Sequence, residues 1–223
     1  MSSHDIDTAS HHAPNRPGSA LRPVRYLLWG IIIGITLGFG ASELWHRDYS
    51  GSAPDAPEVI RDTIKSDFAL VDHTGKSVTD ENYRGKWLLV FFGFTNCPDV
   101  CPTALNEIAV VMDNLGDKAA RVQPLFITVD PERDTPERMA EYVGAFDSRI
   151  TGLTGTPEQI KASTKSFKVY YVKEVQETAP DGYTMGHTTS LYLIDPNGRF
   201  VRPYSYNATI EEISDDLRER LQG

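Results

Sequence analysis

The sequence predicts an α/β fold in which flanking helices sandwich a mixed central sheet, preceded by one N-terminal transmembrane helix. Three observations carry this expectation. Residues 87–92 (WLLVFF) form an unbroken apolar run, the pattern of a strand buried on both faces. Strand-like runs then alternate with amphipathic helical patterns. Near the N-terminus, residues 26–42 carry no charge.

That charge-free stretch is 17 residues long. At about 1.5 Å per residue it falls slightly short of a ~30 Å hydrocarbon core, and extension to Trp45 adds only Glu43, close to the interface. Trp29 and Trp45 take interfacial positions, and Arg16, Arg22 and Arg25 precede the run. The positive-inside rule then gives a cytoplasmic segment over residues 1–25, an anchor over 26–45 and an exported C-terminal domain. A cleaved signal peptide is the alternative, but its apolar core is ordinarily shorter. Residues 46–65, with Ser, Gly, Ala, Pro54 and Pro57, read as a linker, and residues 66–223 as the folded domain.

Residues 68–71 and 77–79 flank His73-Thr74-Gly75-Lys76 as a small hairpin. After the run at 87–92, Leu105, Ile108, Ala109, Met112 and Leu115 recur at helical spacing, with Pro102 at the start and Gly116 at the end. Residues 122–129 form the next buried strand despite Pro124. Thr135-Pro136-Glu137 and Thr156-Pro157-Glu158 open two more helices. Residues 169–175 and 189–194 are strand-like, Asp195-Pro196-Asn197-Gly198 turns back into residues 199–201, and an amphipathic helix around Ile210, Ile213, Leu217 and Leu221 closes the chain. With a cysteine pair at the strand-to-helix turn, this is a thioredoxin-like sandwich.

The formal net charge is −9, and residues 1–48 balance four Arg against four Asp/Glu, so the acidic excess lies wholly in the domain. Such a domain cannot neutralise phosphates, which argues against a nucleic-acid partner. Its chemistry is concentrated in Cys97 and Cys101, the two cysteines of the chain, spaced i, i+4 at the start of a helix. Helix N-termini stabilise thiolate, the form that binds soft metals and attacks disulfides. A purely structural disulfide closing so short a loop would remove little chain entropy. The pair therefore reads as a metal site or a redox-active dithiol. His73 reads as a solvated turn residue, and Met185 as strand packing. His187, ahead of an apolar strand, reads equally as a polar loop residue or as a third ligand. Two thiolates and one imidazole would suit copper, whereas a structural zinc site would want a fourth ligand. In Asp130–Pro136, Asp134 or Thr135 would cap the next helix and Arg133 pair locally, or Asp130 or Arg133 would shape the metal loop or meet the partner.

Several segments in order make the chain resemble the Sco/SenC family of copper chaperones for cytochrome c oxidase assembly. They are Phe92-Gly93-Phe94-Thr95, Cys97-Pro98-Asp99-Val100-Cys101-Pro102, Val129-Asp130-Pro131-Glu132-Arg133-Asp134-Thr135-Pro136, and His187 followed by Tyr192-Leu193-Ile194-Asp195-Pro196-Asn197-Gly198. The resemblance implies a thioredoxin fold in the periplasm, tethered to the bacterial inner membrane. It implies one copper ion held by Cys97, Cys101 and His187. Its implied partners are cytochrome c oxidase subunit II, whose copper A centre would receive the ion, and another periplasmic copper chaperone. It also admits a thiol–disulfide oxidoreductase that reduces the acceptor's cysteines through Cys97 and Cys101. The family pattern has Asp immediately before the ligand His; here that position is Gly186.

Overall fold

The computed structural model describes Tyr26, residues 28–36 and residues 55–222. The chain divides into two units, the first ending at Gly51. In the first, the described residues are helical. Half of the expected anchor over 26–45 lies outside the described residues, and no helix among those described is long and apolar enough to cross a membrane.

The second unit is built on a seven-stranded mixed sheet. Its strands are β1 (Ala69–Asp72), β2 (Ser77–Thr79), β3 (Trp87–Gly93), β4 (Val122–Thr128), β5 (Thr151–Thr154), β8 (Leu191–Ile194) and β9 (Phe200–Tyr204), in the spatial order β2-β1-β5-β4-β3-β8-β9. β6 (Tyr171–Val175) and β7 (Tyr183–His187) form a separate antiparallel hairpin. The helices are α1 (Glu58–Thr63), α2 (Val100–Leu115), α3 (Pro136–Gly144), α4 (Pro157–Phe167) and α5 (Ile210–Arg220).

β3 is the spine of the sheet. It runs parallel to β4 from Trp87↔Val122 to Gly93↔Thr128 and antiparallel to β8 from Leu88↔Ile194 to Phe91↔Leu191. Every residue from Leu88 to Gly93 is buried, as a strand covered on both faces requires. Pro124 is tolerated because the β4–β5 ladder starts one residue later, at Leu125↔Thr151. Beside it the Gln123 side-chain amide donates to the Arg149 carbonyl at 2.9 Å and to Thr151 Oγ1 at 3.1 Å.

The expected helices form, with small shifts in their ends. α2 buries Leu105, Ile108, Val111, Met112 and Leu115 and stops at Gly116, whose φ of 55° is left-handed. Thr135 and Thr156 cap α3 and α4, each with a proline at the first helical position.

Three local expectations are corrected. Within the stretch read as a linker, residues 55–65 are folded onto the domain: Pro57 opens α1, the Ala56 N–H donates to the Val201 carbonyl at 3.0 Å and the Lys65 N–H to the Ser166 carbonyl at 3.2 Å. Backbone docking of this kind leaves no trace in composition. His73 is half-buried rather than solvated, its Nδ1 accepting from the Gly152 N–H at 2.9 Å, so it ties the end of β1 to β5. The strand expected over 189–194 begins at Leu191, and residues 183–187 add the unforeseen β7, which ends on His187.

Candidate metal centre

β3 delivers the chain to the site at Gly93, and residues 94–99 turn it into α2. Asp99 holds the N-cap position but its side chain caps nothing. Instead the Cys101 N–H donates to Cys97 Sγ at 3.4 Å, so a sulfur takes the place of a capping oxygen where unpaired helix N–H groups favour negative charge. Pro102 follows within the first turn, where its missing N–H removes no intrahelical bond. Cys101 is buried and Cys97 partly exposed. A Cβ on residue 93 would stand 2.7 Å from Cys101 Sγ and 2.7 Å from Phe126 Cε2; only glycine lets the sulfur lie against the strand.

The loop after β4 supports the cysteine loop from below. Asp134 is fully buried, and its carboxylate accepts from the Thr95 hydroxyl at 2.6 Å, the Thr95 N–H at 3.1 Å and the Thr128 hydroxyl at 2.6 Å. Burial nevertheless pushes the Asp134 carboxyl above its ordinary range, against the lowering effect of those donors. Thr95 also accepts from Arg138 Nε at 2.8 Å, which carries the connection on to α3.

His187 arrives from the hairpin. Its Nδ1 lies 2.9 Å from the Thr188 carbonyl, so that nitrogen donates to the backbone and Nε2 is the nitrogen turned to the site. Phe91 and Phe94 meet the ring edge-on, with centroids 6.1 Å and 5.8 Å away. Nε2 points at Cys101 Sγ, 3.6 Å off. The ligand atoms of Cys97, Cys101 and His187 all lie within 4.8 Å of one another, a grouping unmatched among the described residues. His73 takes no part in it. Met185 is buried in β7, in keeping with packing.

The two thiols are strongly unequal. The Cys101 thiol donating to Cys97 outweighs burial and, with the His187 imidazole and the amides of Asp99 and Cys101, lowers the Cys97 thiol to about 4. The same contact, burial and the Cys97 charge push Cys101 well above the ordinary thiol range. The pair thus gives up its first proton from Cys97 and keeps the second on Cys101. One formed thiolate, one thiol to be deprotonated by the incoming ion and one neutral imidazole make a soft, three-donor set that fits a copper-type ion.

Sequence reasoning singled out the three residues that the structure brings together here but missed their supports. Gly93 stood inside a quoted motif without an assigned role, Asp134 was read as a possible cap of α3 although Thr135 is the cap and Asp134 holds the cysteine loop, and Tyr183, whose ring lies between Arg133 and Lys173, was not singled out. The alternation Tyr183, Met185, His187 was the one available sign of a strand there.

The family model for SCO1/SenC matches residues 57–222. The chain is similar to Bradyrhizobium japonicum ScoI, solved with copper bound: 46% identity and a TM-score of 0.65, over 70% of this chain and 98% of that one. It is 37% identical over 219 residues to the mitochondrial SCO2 homologue of Bos taurus, covering 96% of this chain and 80% of that protein. At 25% identity and a TM-score of 0.58, over 72% of this chain and 94% of the other, it is similar to BsSco, a member of the Sco family of cytochrome c oxidase assembly proteins described with a disulfide switch. Across mitochondrial relatives from cattle, human and Arabidopsis the chain spans 50% to 80% of their length. The match over nearly the whole folded unit and the similarity to these proteins place one conclusion beyond the fold itself: the chain belongs to the SCO1/SenC family.

Proposed function

We propose that this protein is a membrane-anchored copper chaperone. It binds one copper ion through Cys97, Cys101 and His187 and delivers it to the copper A centre of cytochrome c oxidase subunit II. The convergence of three ligand atoms within 4.8 Å carries this reading, and the copper-bound ScoI structure supports it. Residues 26–45 anchor the chain in a bacterial inner membrane, with the domain in the periplasm, where it also meets another copper chaperone.

Two thiolates and a neutral imidazole carry a charge of −2, so Cu(I) leaves the site at −1 and Cu(II) leaves it neutral. Three protein donors leave one side open. An acceptor thiolate or imidazole can enter there and take the ion through a shared intermediate, without release to water. Transfer of two electrons and two protons from the dithiol to an acceptor disulfide forms the Cys97–Cys101 disulfide, reduces the acceptor to its dithiol and removes both sulfur ligands.

The test is titration of the reduced, detergent-solubilised chain with Cu(I) anaerobically and with Cu(II) in parallel. A tight 1:1 complex with sulfur-to-copper charge transfer in the Cu(II) form is expected. Cys97→Ser should abolish both complexes, and His187→Ala should remove the Cu(II) spectrum and weaken Cu(I). No tight copper binding by the unaltered protein would overturn the reading.

A second reading, dithiol reductase of the acceptor's cysteines, is favoured by one specific feature: Cys97 is a partly exposed thiolate backed by a buried thiol. Attack by Cys97 on an acceptor disulfide forms a mixed disulfide and releases one acceptor thiolate; Cys101 then resolves it, giving the intramolecular disulfide and the reduced acceptor. His187→Ala separates the two activities, since it should spare exchange while crippling copper retention.

A further inference from the structure

The hairpin that carries His187 pairs with no strand of the main sheet, so something other than a β-ladder must set the distance from His187 to the cysteines. One side chain gathers several of the joining contacts. The Tyr183 ring has the Arg133 guanidinium 3.8 Å from its centroid and the Lys173 ammonium 3.9 Å from it. Its hydroxyl donates to Asp130 Oδ1 at 3.0 Å, and its carbonyl accepts from Arg133 Nη1 at 3.3 Å. Arg133 is nearly buried, pairs with Asp130, and also stands 5.9 Å from the centroid of Phe94, the ring that meets His187 from the cysteine loop. Lys173 is salt-bridged to Glu132 at 2.6 Å.

We infer that Tyr183, clasped by Arg133, Lys173 and Asp130, is the positioning residue that holds the His187 imidazole at the dithiol, and so governs how well the site retains Cu(II) relative to Cu(I). The inference rests on the copper reading above and assigns the metal preference of that site to a residue that touches no metal. Two thiolates suffice to hold Cu(I), whereas Cu(II) requires the imidazole. Loosening the clasp therefore costs Cu(II) first. Tyr183, Met185 and His187 alternate along β7 and share one face of the hairpin, so a shift at Tyr183 is passed to His187 through the three strand residues between them.

The experiment compares the unaltered full-length chain with Tyr183→Leu and Tyr183→Phe. Tyr183→Leu removes ring and hydroxyl; Tyr183→Phe keeps the ring between its two cations. Copper-free, reduced protein is first followed by hydrogen exchange over residues 171–188. Tyr183→Leu should speed exchange there and leave α2 and β3 unchanged. Cu(II) affinity should then fall by about 10-fold or more, the scale of supporting-shell losses, with Cu(I) falling less than about 3-fold. Tyr183→Phe should restore most of the Cu(II) affinity and its charge-transfer band. Equal losses of Cu(I) and Cu(II), unchanged exchange in the hairpin, or identical behaviour of Phe and Leu would each overturn the inference. Absence of copper binding by the unaltered chain would instead overturn the copper reading, and the exchange data would still judge the clasp.

Discussion

Asp134 grips Thr95 twice, through its hydroxyl at 2.6 Å and its N–H at 3.1 Å, so a buried carboxylate on one loop fixes the backbone two residues before Cys97 on another. Hydrogen bonds to a charged acceptor contribute about 1.5–3 kcal/mol each, and stranded donors cost a further increment. Asp134→Ala should therefore lower unfolding stability by about 3 kcal/mol or more in urea titration. Asp134→Asn should cost less, because the Thr95 and Thr128 hydroxyls can rotate to accept. Burial already favours the neutral form of this group. A stability order with Asn below Ala would contradict this account of the loop.

The inequality of the two thiols sets a pH signature. Cys97 is lowered to about 4 while an unfolded cysteine titrates near 8.5. Between those values the unfolded chain binds the extra proton, so this group makes the reduced protein more stable as pH rises, and its contribution is lost as pH falls through about 4. Cys101 is shifted the other way, and its contribution is lost as pH rises above the ordinary thiol value. Reduced-minus-oxidised stability should climb from pH 4 towards pH 8 and turn over beyond it. In line with this, iodoacetamide at pH 6 should label Cys97 readily and leave Cys101 untouched; equal labelling would contradict the assignment.

Oxidation should act as an on–off control of loading. Both cysteines are free and their sulfurs lie within the 4.8 Å grouping, close enough for a disulfide to need only a local adjustment. Diamide-treated protein should bind no copper at stoichiometric concentrations, and dithiothreitol should restore full binding. Retention of copper by the oxidised protein would remove the sulfurs from the ligand set.

What the sequence made legible follows from where local pattern and burial coincide. The apolar run of β3 and the spacing of Leu105, Ile108, Met112 and Leu115 in α2 are local properties with one physical solution each, and both came out as read. The candidate residues Cys97, Cys101 and His187 could be singled out because cysteine and histidine carry their chemistry in their side chains. Of the hairpin, β6 was read within residues 169–175 and β7 was not, since only Met185 of its five residues is fully buried and the run carries no unbroken apolar signal. The supports of the site were equally hidden. Asp134 reaches across 39 residues to Thr95, and Arg133 across 50 to Tyr183; distances of that kind belong to the tertiary structure, and a carboxylate in sequence does not announce that it is fully buried.

Two glycines beside the ligands should respond very differently to a methyl group. At Gly93 the added Cβ meets Cys101 Sγ at 2.7 Å and the Phe126 ring at 2.7 Å, both held in the core. Gly93→Ala should therefore cost about 1–3 kcal/mol, the range of core overpacking, and displace a metal ligand as it does so. At Gly186 the nearest atom is Glu174 Oε1 at 2.9 Å, the free end of an exposed side chain, with Val172 Cγ1 at 3.2 Å behind it. Glu174 can swing away, so Gly186→Ala should change stability by less than about 1 kcal/mol, as surface changes ordinarily do. Gly186→Asp places a carboxylate beside Glu174 on the face of the hairpin opposite His187. With the imidazole on the other face, copper affinity should change less than about 3-fold, well under the 10–100-fold scale of supporting-shell losses. Paired melting curves and Cu(II) titrations of the three variants check this directly. A large gain in copper affinity from Gly186→Asp would mean that a carboxylate at this position acts on the metal, and that the hairpin turns its other face to the site.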